Sequence, residues 1–351
     1  MAPSQTTAPA LTVGIDLSDR FTSFCVLDER GEILEEGRVR TTPEAFLRRF
    51  SSDDSSRVVM EFGTHSPWAS RLMSELTHEV IVANPWKVKL NAASISKTDR
   101  SDAETLARLG RVDPTLLSPV VHRSSETHAD LAIIHARQAL VASRSLLINH
   151  VRGAVKPFGH RLPACDAHLF HKKVDGLMPP ELSLALLPLL KVIETLSGEI
   201  SLADKRIEQL ACRYPETTVL RQVPGVGPLI ATTFVLTVGD PSRFKESRQM
   251  GPYLGLVPKT RDSGERSPQL RISKAGNKYL RQLLVNGAHY ILGYRGPDSD
   301  LRRWGLRHAA DGKTDKKRAI IGVARRLAVL LHRLWVTGEV YIPLRSGSLA
   351  A

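Results

Sequence analysis

The chain has 351 residues, 42% of them hydrophobic, enough for two or three domains with real cores. No apolar run approaches the roughly 20 residues of a membrane span, and three scattered cysteines, Cys25, Cys165 and Cys212, argue against a zinc site or disulfide framework and suit a reducing cytoplasm. A net charge of +13 makes a polyanion, most simply nucleic acid, the expected partner.

Residues 1–10 are small and polar, lack the basic and apolar regions of a signal peptide, and read as an unstructured start. Residues 11–120 read as α/β. Apolar runs predict strands over 11–16, 21–27 and 33–39, with the turn Asp28-Glu29-Arg30-Gly31 between the second and third. A helix over 43–50, a strand over 57–62, a helix over 67–77 and a strand over 79–83 follow. Asn84-Pro85 then breaks the chain, and a helix is predicted over 86–93. An early meander followed by alternating strand and helix fits an RNase H-like (RuvC-like) layout better than a doubly wound nucleotide fold.

Residues 121–213 read as a helical, coiled-coil middle. Leu182, Leu186, Leu189, Ile193, Leu196, Ile200, Ala203, Ile207 and Leu210 alternate steps of four and three, an a/d seam. Pro188 predicts that the regular coil begins just after it. Upstream, Ile133/Ile134, Leu140/Val141, Leu147/Ile148 and Ala154/Val155 recur every seven residues. The two patterns suit an antiparallel hairpin across the loop 158–179, or self-association through the seam.

Residues 214–344 read as a mainly α C-terminal domain. Val223-Pro224-Gly225-Val226-Gly227-Pro228 lies between two helical patterns, and Gly225 and Gly227 let backbone N–H groups approach a phosphate, as in a helix-hairpin-helix. A plain helix–helix turn has the same look. Gly255-Leu256-Val257-Pro258-Lys259, Asp262-Ser263-Gly264 and Ile272-Ser273-Lys274-Ala275-Gly276-Asn277 lead into a helix over 279–292. A last amphipathic helix spans about 315–336, with Ile320, Val323, Leu327, Leu331 and Leu334 on its apolar side. From Arg302 to Arg333 ten Lys and Arg face only Asp311 and Asp315. Candidate nucleic-acid contacts are Gly225, Gly227, Lys259, Arg261, Arg271, Lys274, Lys316, Lys317 and Arg318. Residues 345–351 read as an unstructured tail.

Four carboxylates in the first third carry the chemistry. Asp16 and Glu61 end predicted strands, and Asp99 and Asp102, three apart, share one helix face. Converging carboxylates repel unless cations neutralise them, and Mg²⁺, with Mn²⁺ as a substitute, suits such oxygen donors. Taken singly, Asp99 and Asp102 also serve as N-terminal helix residues and Asp16 as a turn residue. Gly14-Ile15-Asp16 before a hairpin also occurs in actin-like ATPases and sugar kinases, but a coiled coil and a basic helical domain follow here.

These motifs, in this order and spacing from Leu11 to about Leu344, resemble the DEDD transposases of the IS-one-ten insertion-sequence family. The resemblance implies a RuvC-like metal-binding domain holding Mg²⁺ at Asp16, Glu61, Asp99 and Asp102, a coiled-coil region, and a C-terminal transposase domain with a nucleophilic serine. It also implies recombination of donor and target DNA guided by a structured bridge RNA, within a homo-oligomer (dimer to tetramer) that joins the acids to the serine of another protomer, in the bacterial cytoplasm and without a membrane. By position the serine is Ser263, with Ser267 and Ser273 as fallbacks. A hydroxyl needs a base or metal to become a nucleophile, and Lys259, Arg261 and Arg271 are near enough in sequence to stabilise the developing charge. Two alternatives stay open: Ser263 is a turn residue beside glycine in a RuvC-like nuclease that uses metal-activated water, or the chain is a non-catalytic nucleic-acid scaffold. His65, just after the Glu61 strand, is read as a structural histidine or a substrate contact.

Overall fold

Residues 10–52, 54–85, 98–260, 270–309 and 312–345 are described by the computed structural model, and the chain divides into two units, Met1–Ser124 and Ser125–Ala351. In the first unit β1 (Thr12–Asp16), β2 (Phe21–Leu27) and β3 (Ile33–Arg40) form the antiparallel meander. Helix α1 (Pro43–Phe50) follows, with the Thr42 hydroxyl capping its first turn and proline where no N–H is needed. β4 (Arg57–Glu61), α2 (Ser66–Glu75), β5 (Glu79–Ala83) and α3 (Asp99–Val112) complete the unit. The sheet order is β3-β2-β1-β4-β5, with β1, β4 and β5 parallel. This mixed sheet is consistent with the RNase H-like layout. Two strands and α1 have the predicted bounds, the other predicted elements of this unit shift by one or two residues, and the helix predicted over 86–93 lies outside the described residues.

Side chains alternate between sheet faces. Val13, Ile15, Phe24, Val26, Val58 and Met60 bury one face against Phe46 and Phe50 of α1 and Ala69 and Met73 of α2. The opposite face receives α3, where Ala103 and Ala107 pack on Cys25 and Leu27, and Leu106 packs on Val59 and Ile81. Gly14 makes this seating possible: a β-carbon there would lie 2.0 Å from the Ala103 carbonyl and 2.5 Å from the Ala107 nitrogen. Arg111, near the end of α3, donates to the Thr12 hydroxyl at the start of β1 (3.2 Å). The helix therefore runs against β1, and its first turn lies towards the carboxyl ends of β1 and β4.

The second unit opens with a helical hairpin of α4 (Ser125–Ala154) and α5 (Pro180–Cys212). Arg137 pairs with Asp204, Arg144 with Ser197 and Arg213 with Asp130, so positions rise along one helix as they fall along the other, and the pair is antiparallel. Leu186, Ile193, Ile200, Ala203, Ile207 and Leu210 of the predicted seam are buried within the chain. Contrary to expectation, α5 does not wait for Pro188 but begins at Pro180 and runs through it. Proline there forfeits a single backbone bond, while Leu186 and Leu190 beside it bury against Phe170 and Val174. By length and composition alone α4 also reaches the size and apolarity of a membrane span, which amends the reading that no segment does. Its alanines, leucines and isoleucines outweigh the interspersed charges, and one side of it packs on α5.

At its root the hairpin merges with the remaining helices. Leu131, Ile134, Ile207 and Leu210 share one core with α6 (Glu216–Leu220), α7 (Pro228–Val238), α8 (Lys278–Leu292) and α10 (Lys313–Thr337). Helix α9 (Asp300–Arg307), absent from the predicted elements, packs against α10 through Trp304, whose ring lies under the Arg326 guanidinium at 4.1 Å. Buried Asp130 accepts from the Tyr214 hydroxyl at 2.6 Å and pairs with Arg213. Burial, with the Asp130 hydrogen bond, pushes the Tyr214 hydroxyl up to about 12.

Candidate active site

Pairing of Ile15 with Met60 in the parallel ladder makes Asp16 and Glu61 the final residues of neighbouring strands. Counting alternately from Gly14 and Val59, both carboxylates belong to the face that carries α3. Asp99 and Asp102 occupy the first turn of that helix, which is held by a capping box between Thr98 and Ser101. Asp16, Glu61 and Asp102 are half-buried and Asp99 is exposed. Sheet and helix thus bring all four acids to one end and one face of the unit.

Asp99 reaches further along the sheet than the other three. With Thr98 and Arg100 it lines a cavity of about 650 Å³ whose other walls are Ser23 and Phe24 of β2 and Glu36, Gly37 and Arg38 of β3. Ser23 is the cross-strand neighbour of Asp16, so this cavity adjoins the strand-end acids. Arg100 pairs with Glu36, and Arg38 stacks over the Phe21 ring at 5.2 Å. Neither arginine was singled out in the sequence, where nothing in the spacing marks them. Beneath them, burial and then Glu36 push the Cys25 thiol up to about 11.

His65 takes a structural place. Its Nδ1 accepts from the Trp68 indole at 3.1 Å, which leaves the ring proton on Nε2, 3.3 Å from Asp19 Oδ1. It ties the loop after β1 to the start of α2.

The donor chemistry of the four acids, hard oxygens only, fits a divalent cation such as Mg²⁺. Among the described residues, however, no three His, Cys, Asp or Glu side chains are gathered closely enough to hold an ion. The set is aligned but not drawn in.

In the second unit, the turn between α6 and α7 carries Gly225 at φ +85°, where a β-carbon would press on Tyr290 (3.0 Å) and the Gly287 carbonyl (3.1 Å) of α8. Gly225 is therefore required for helix packing, whatever it does for an anion. Gly227 is extended and open. Both line a cavity of about 420 Å³ together with Arg221, Asn286 and Tyr290.

The segment carrying Arg261, Ser263 and Ser267 lies outside the described residues, but the two strands of chain that lead into it are described. They are tied by Lys259 N–H to Arg271 O (2.9 Å), Ser273 N–H to Val257 O (2.8 Å) and Lys274 N–H to Gly255 O (3.1 Å). Gly255 (φ +63°) and Gly276 (φ +67°) let them cross, since β-carbons there would lie 2.3 Å from the Ala275 nitrogen and 2.0 Å from the Tyr253 carbonyl. Buried Arg281 of α8 clamps both, donating to Leu254 O (3.0 Å) and Ala275 O (2.6 Å), and burial holds its guanidinium below the usual arginine range. Arginine among Leu280, Leu283 and Leu284 on an apolar helix face was the available signal for this residue, and the sequence reading missed it. Lys259, Arg271, Lys274, Lys316, Lys317 and Arg318 are all exposed, with Arg318 3.4 Å from Asp315.

Two family models match this sequence. One, described as a transposase and named for the DEDD acids, covers residues 13–158, and the other, described as the transposase IS116/IS110/IS902 family, covers residues 217–300. The chain is 27% identical over 338 residues to a transposase for insertion sequence element IS1111A from Coxiella burnetii, spanning 94% of this chain and 90% of that protein. A probable family 20 transposase from Pseudomonas aeruginosa is 29% identical over 70% of this chain and 75% of its own length. A pilin gene-inverting protein from Moraxella lacunata is 28% identical over 73% of this chain and 72% of its own.

Proposed function

The chain belongs to the IS110 (IS-one-ten) family of DEDD transposases, and from that premise we propose that it cuts and exchanges DNA strands at the ends of an insertion element, with Mg²⁺ or Mn²⁺ at the four acids and Ser263 as the attacking group. The observation that carries this reading is the placement of Asp16 and Glu61 at neighbouring ends of parallel strands, on the face against which the first turn of α3 brings Asp99 and Asp102. Asp16 and Glu61 would hold the ion from positions fixed by the strand ladder, and Asp102 and Asp99 would close on it from the helix. When bound, the ion supplies Lewis-acid stabilisation of charge on the reacting phosphodiester. Arg38 provides positive charge beside the acids for a backbone phosphate.

In the proposed step a bond forms between Ser263 Oγ and phosphorus, the scissile P–O bond breaks, and the freed sugar hydroxyl leaves with a proton. Attack by a hydroxyl of another strand reverses these changes, restores the serine and joins the strands, so the exchange needs no ATP. Lys259, Arg261 and Arg271 would counter the pentavalent charge, and Gly225, Gly227, Lys274, Lys316, Lys317 and Arg318 would contact phosphates elsewhere. The chain on both sides of residues 261–269 is cross-tied by backbone hydrogen bonds.

The same reading includes a structured guide RNA, oligomers up to a tetramer and action in the bacterial cytoplasm at the nucleoid. It assigns 11–120 to a RuvC-like domain, 121–213 to a coiled-coil region and 214–344 to the transposase domain. Exposed Leu146, Leu184, Leu187, Val192 and Leu202 on the outer sides of the hairpin support packing between protomers. The test is a denaturing gel of protein with labelled element-end DNA. A covalent adduct present in the wild type and absent in Ser263→Ala supports the serine. Cleavage by Ser263→Ala without any adduct assigns attack to water instead. Sequencing RNA that co-purifies with the protein tests the guide, and recovery of no element-encoded RNA removes it.

A further inference from the structure

Five of the ten Lys and Arg in the basic stretch from Arg302 to Arg333 are engaged within the fold. Arg302 donates to the Ile291 and Gly293 carbonyls, Arg303 pairs with Asp298, Arg318 with Asp315 and Arg333 with Glu339, while Arg326 lies on Trp304. The opposite holds at the far end of the α4–α5 hairpin. From Arg152 to Lys173 there are five Lys and Arg, three His and a single acid, Asp166. Lys156, Arg161, Lys172 and Lys173 are exposed, and none of the four is in an ion pair among the described residues. Beyond Lys173 the charged residues up to Glu194 are Asp175, Glu181, Lys191 and Glu194, the last lying 3.6 Å from His171 Nε2.

This tip is built, not loose. Val151, Val155, Phe170, Val174, Leu186 and Leu190 form its own small core. Arg152 stacks on Phe170 and donates to the Leu162 (3.3 Å) and Pro163 (2.9 Å) carbonyls, fixing the loop. The loop encloses an open hollow of about 690 Å³ lined by Lys156, Gly159, His160 and Arg161, and Phe158 beside it is 47% exposed. Lys156 and Arg161 in the wall of the hollow, with exposed Lys172 and Lys173 on the segment after Phe170, match a phosphodiester backbone in charge. The tip also lies roughly 30 Å beyond Ile134 at the hairpin root, twenty residues at 1.5 Å each, far from the C-terminal contacts.

We infer that the tip of the hairpin is a second DNA-binding surface, in which Lys156, Arg161, Lys172 and Lys173 engage the phosphates of duplex DNA outside the reacting region. The inference rests on the transposase reading, in which duplex DNA is the substrate cut and joined; binding of RNA by the tip is the competing outcome of the test. Arg152 is a positioning residue for the loop and is left out of the test for that reason.

The experiment compares the full-length wild type with the variant Lys156→Ala, Arg161→Ala, Lys172→Ala, Lys173→Ala by fluorescence anisotropy, with a labelled element-end duplex and a structured RNA, over a salt series. All four positions are exposed, and a melting curve confirms that the variant is folded. The variant is expected to bind duplex at least about ten-fold more weakly, and the slope of log K against log salt to shrink by about 3 to 4, close to 0.9 per lost phosphate contact. Unchanged duplex affinity and slope, in a protein whose wild type binds duplex, would overturn the tip alone. A loss confined to the RNA would overturn its assignment to DNA. A wild type with no affinity for duplex even in the presence of its co-purifying RNA would overturn both the tip and the transposase reading.

Discussion

The two units support their candidate residues by different physical means. In the sheet unit Asp16 and Glu61 end hydrogen-bonded strands, and the turn bearing Asp99 and Asp102 is pressed onto the sheet through the gap that Gly14 leaves. In the helical unit the chain that leads to Ser263 is irregular, tied by three backbone hydrogen bonds and one buried arginine. A site carried by regular structure inherits its stability. A site whose flanking chain is irregular depends on a few clamps that can be removed while the fold stays. The difference teaches where mutations should damage folding and where they should damage chemistry alone.

The largest expected effect tests the sheet unit as a reaction centre. Asp16→Asn and Glu61→Gln should each lower strand cleavage by more than about 100-fold, since losing a ligand exceeds the 10–100-fold typical of outer-shell partners. Near-wild-type cleavage with either variant would end the parallel between site and scaffold. Next comes Gly14→Ala, which forces a β-carbon into the α3 backbone and should cost about 3 kcal/mol or more in urea unfolding, at the upper end of overpacking effects. Asp130→Ala should destabilise the helical unit by about 1–2 kcal/mol, because the Tyr214 hydroxyl loses its acceptor while Arg213 stays half-exposed to water.

The contrast sharpens at Arg281. Arg281→Met should slow adduct formation about ten-fold while leaving Mn²⁺ binding by the acids unchanged, and Arg281→Lys should restore part of the rate by reaching one of the two carbonyls. Equal loss of metal binding would show that the clamp does not belong to the helical unit alone. The smallest effect is at the cysteines. With its thiol buried and pushed up to about 11, Cys25 should resist a thiol reagent at pH 8 until the protein unfolds, whereas exposed Cys212 should react at once.

Much of this was legible in the residues. Runs such as Phe21–Leu27 and Glu79–Ala83 announced themselves by β-branched and aromatic content bounded by turns, and Pro43–Phe50 by its cap and proline. The seam of α5 was visible because a heptad pattern repeats. Parity also made the shared face of Asp16 and Glu61 readable, once the parallel register was known. What was not legible depended on contacts distant in sequence. The Arg100–Glu36 pair and the grip of Arg281 on Leu254 and Ala275 involve partners no local pattern connects. The engagement of five of the ten C-terminal basic residues within the fold belongs to the same class, and it drew attention from composition alone to the hairpin tip as well. Helix α9 was missed because it is short and held largely by Trp304 packing on α10.

The central claim is that the end of β1 and β4 under α3 is a divalent-metal centre, although its acids are not yet gathered. Titration of the folded protein with Mn²⁺, read by electron paramagnetic resonance, tests this most directly. Saturable binding is expected for the wild type, lost in Asp16→Asn and in Glu61→Gln but kept in Ser263→Ala. Binding by those two acid variants as tight as by the wild type would contradict it.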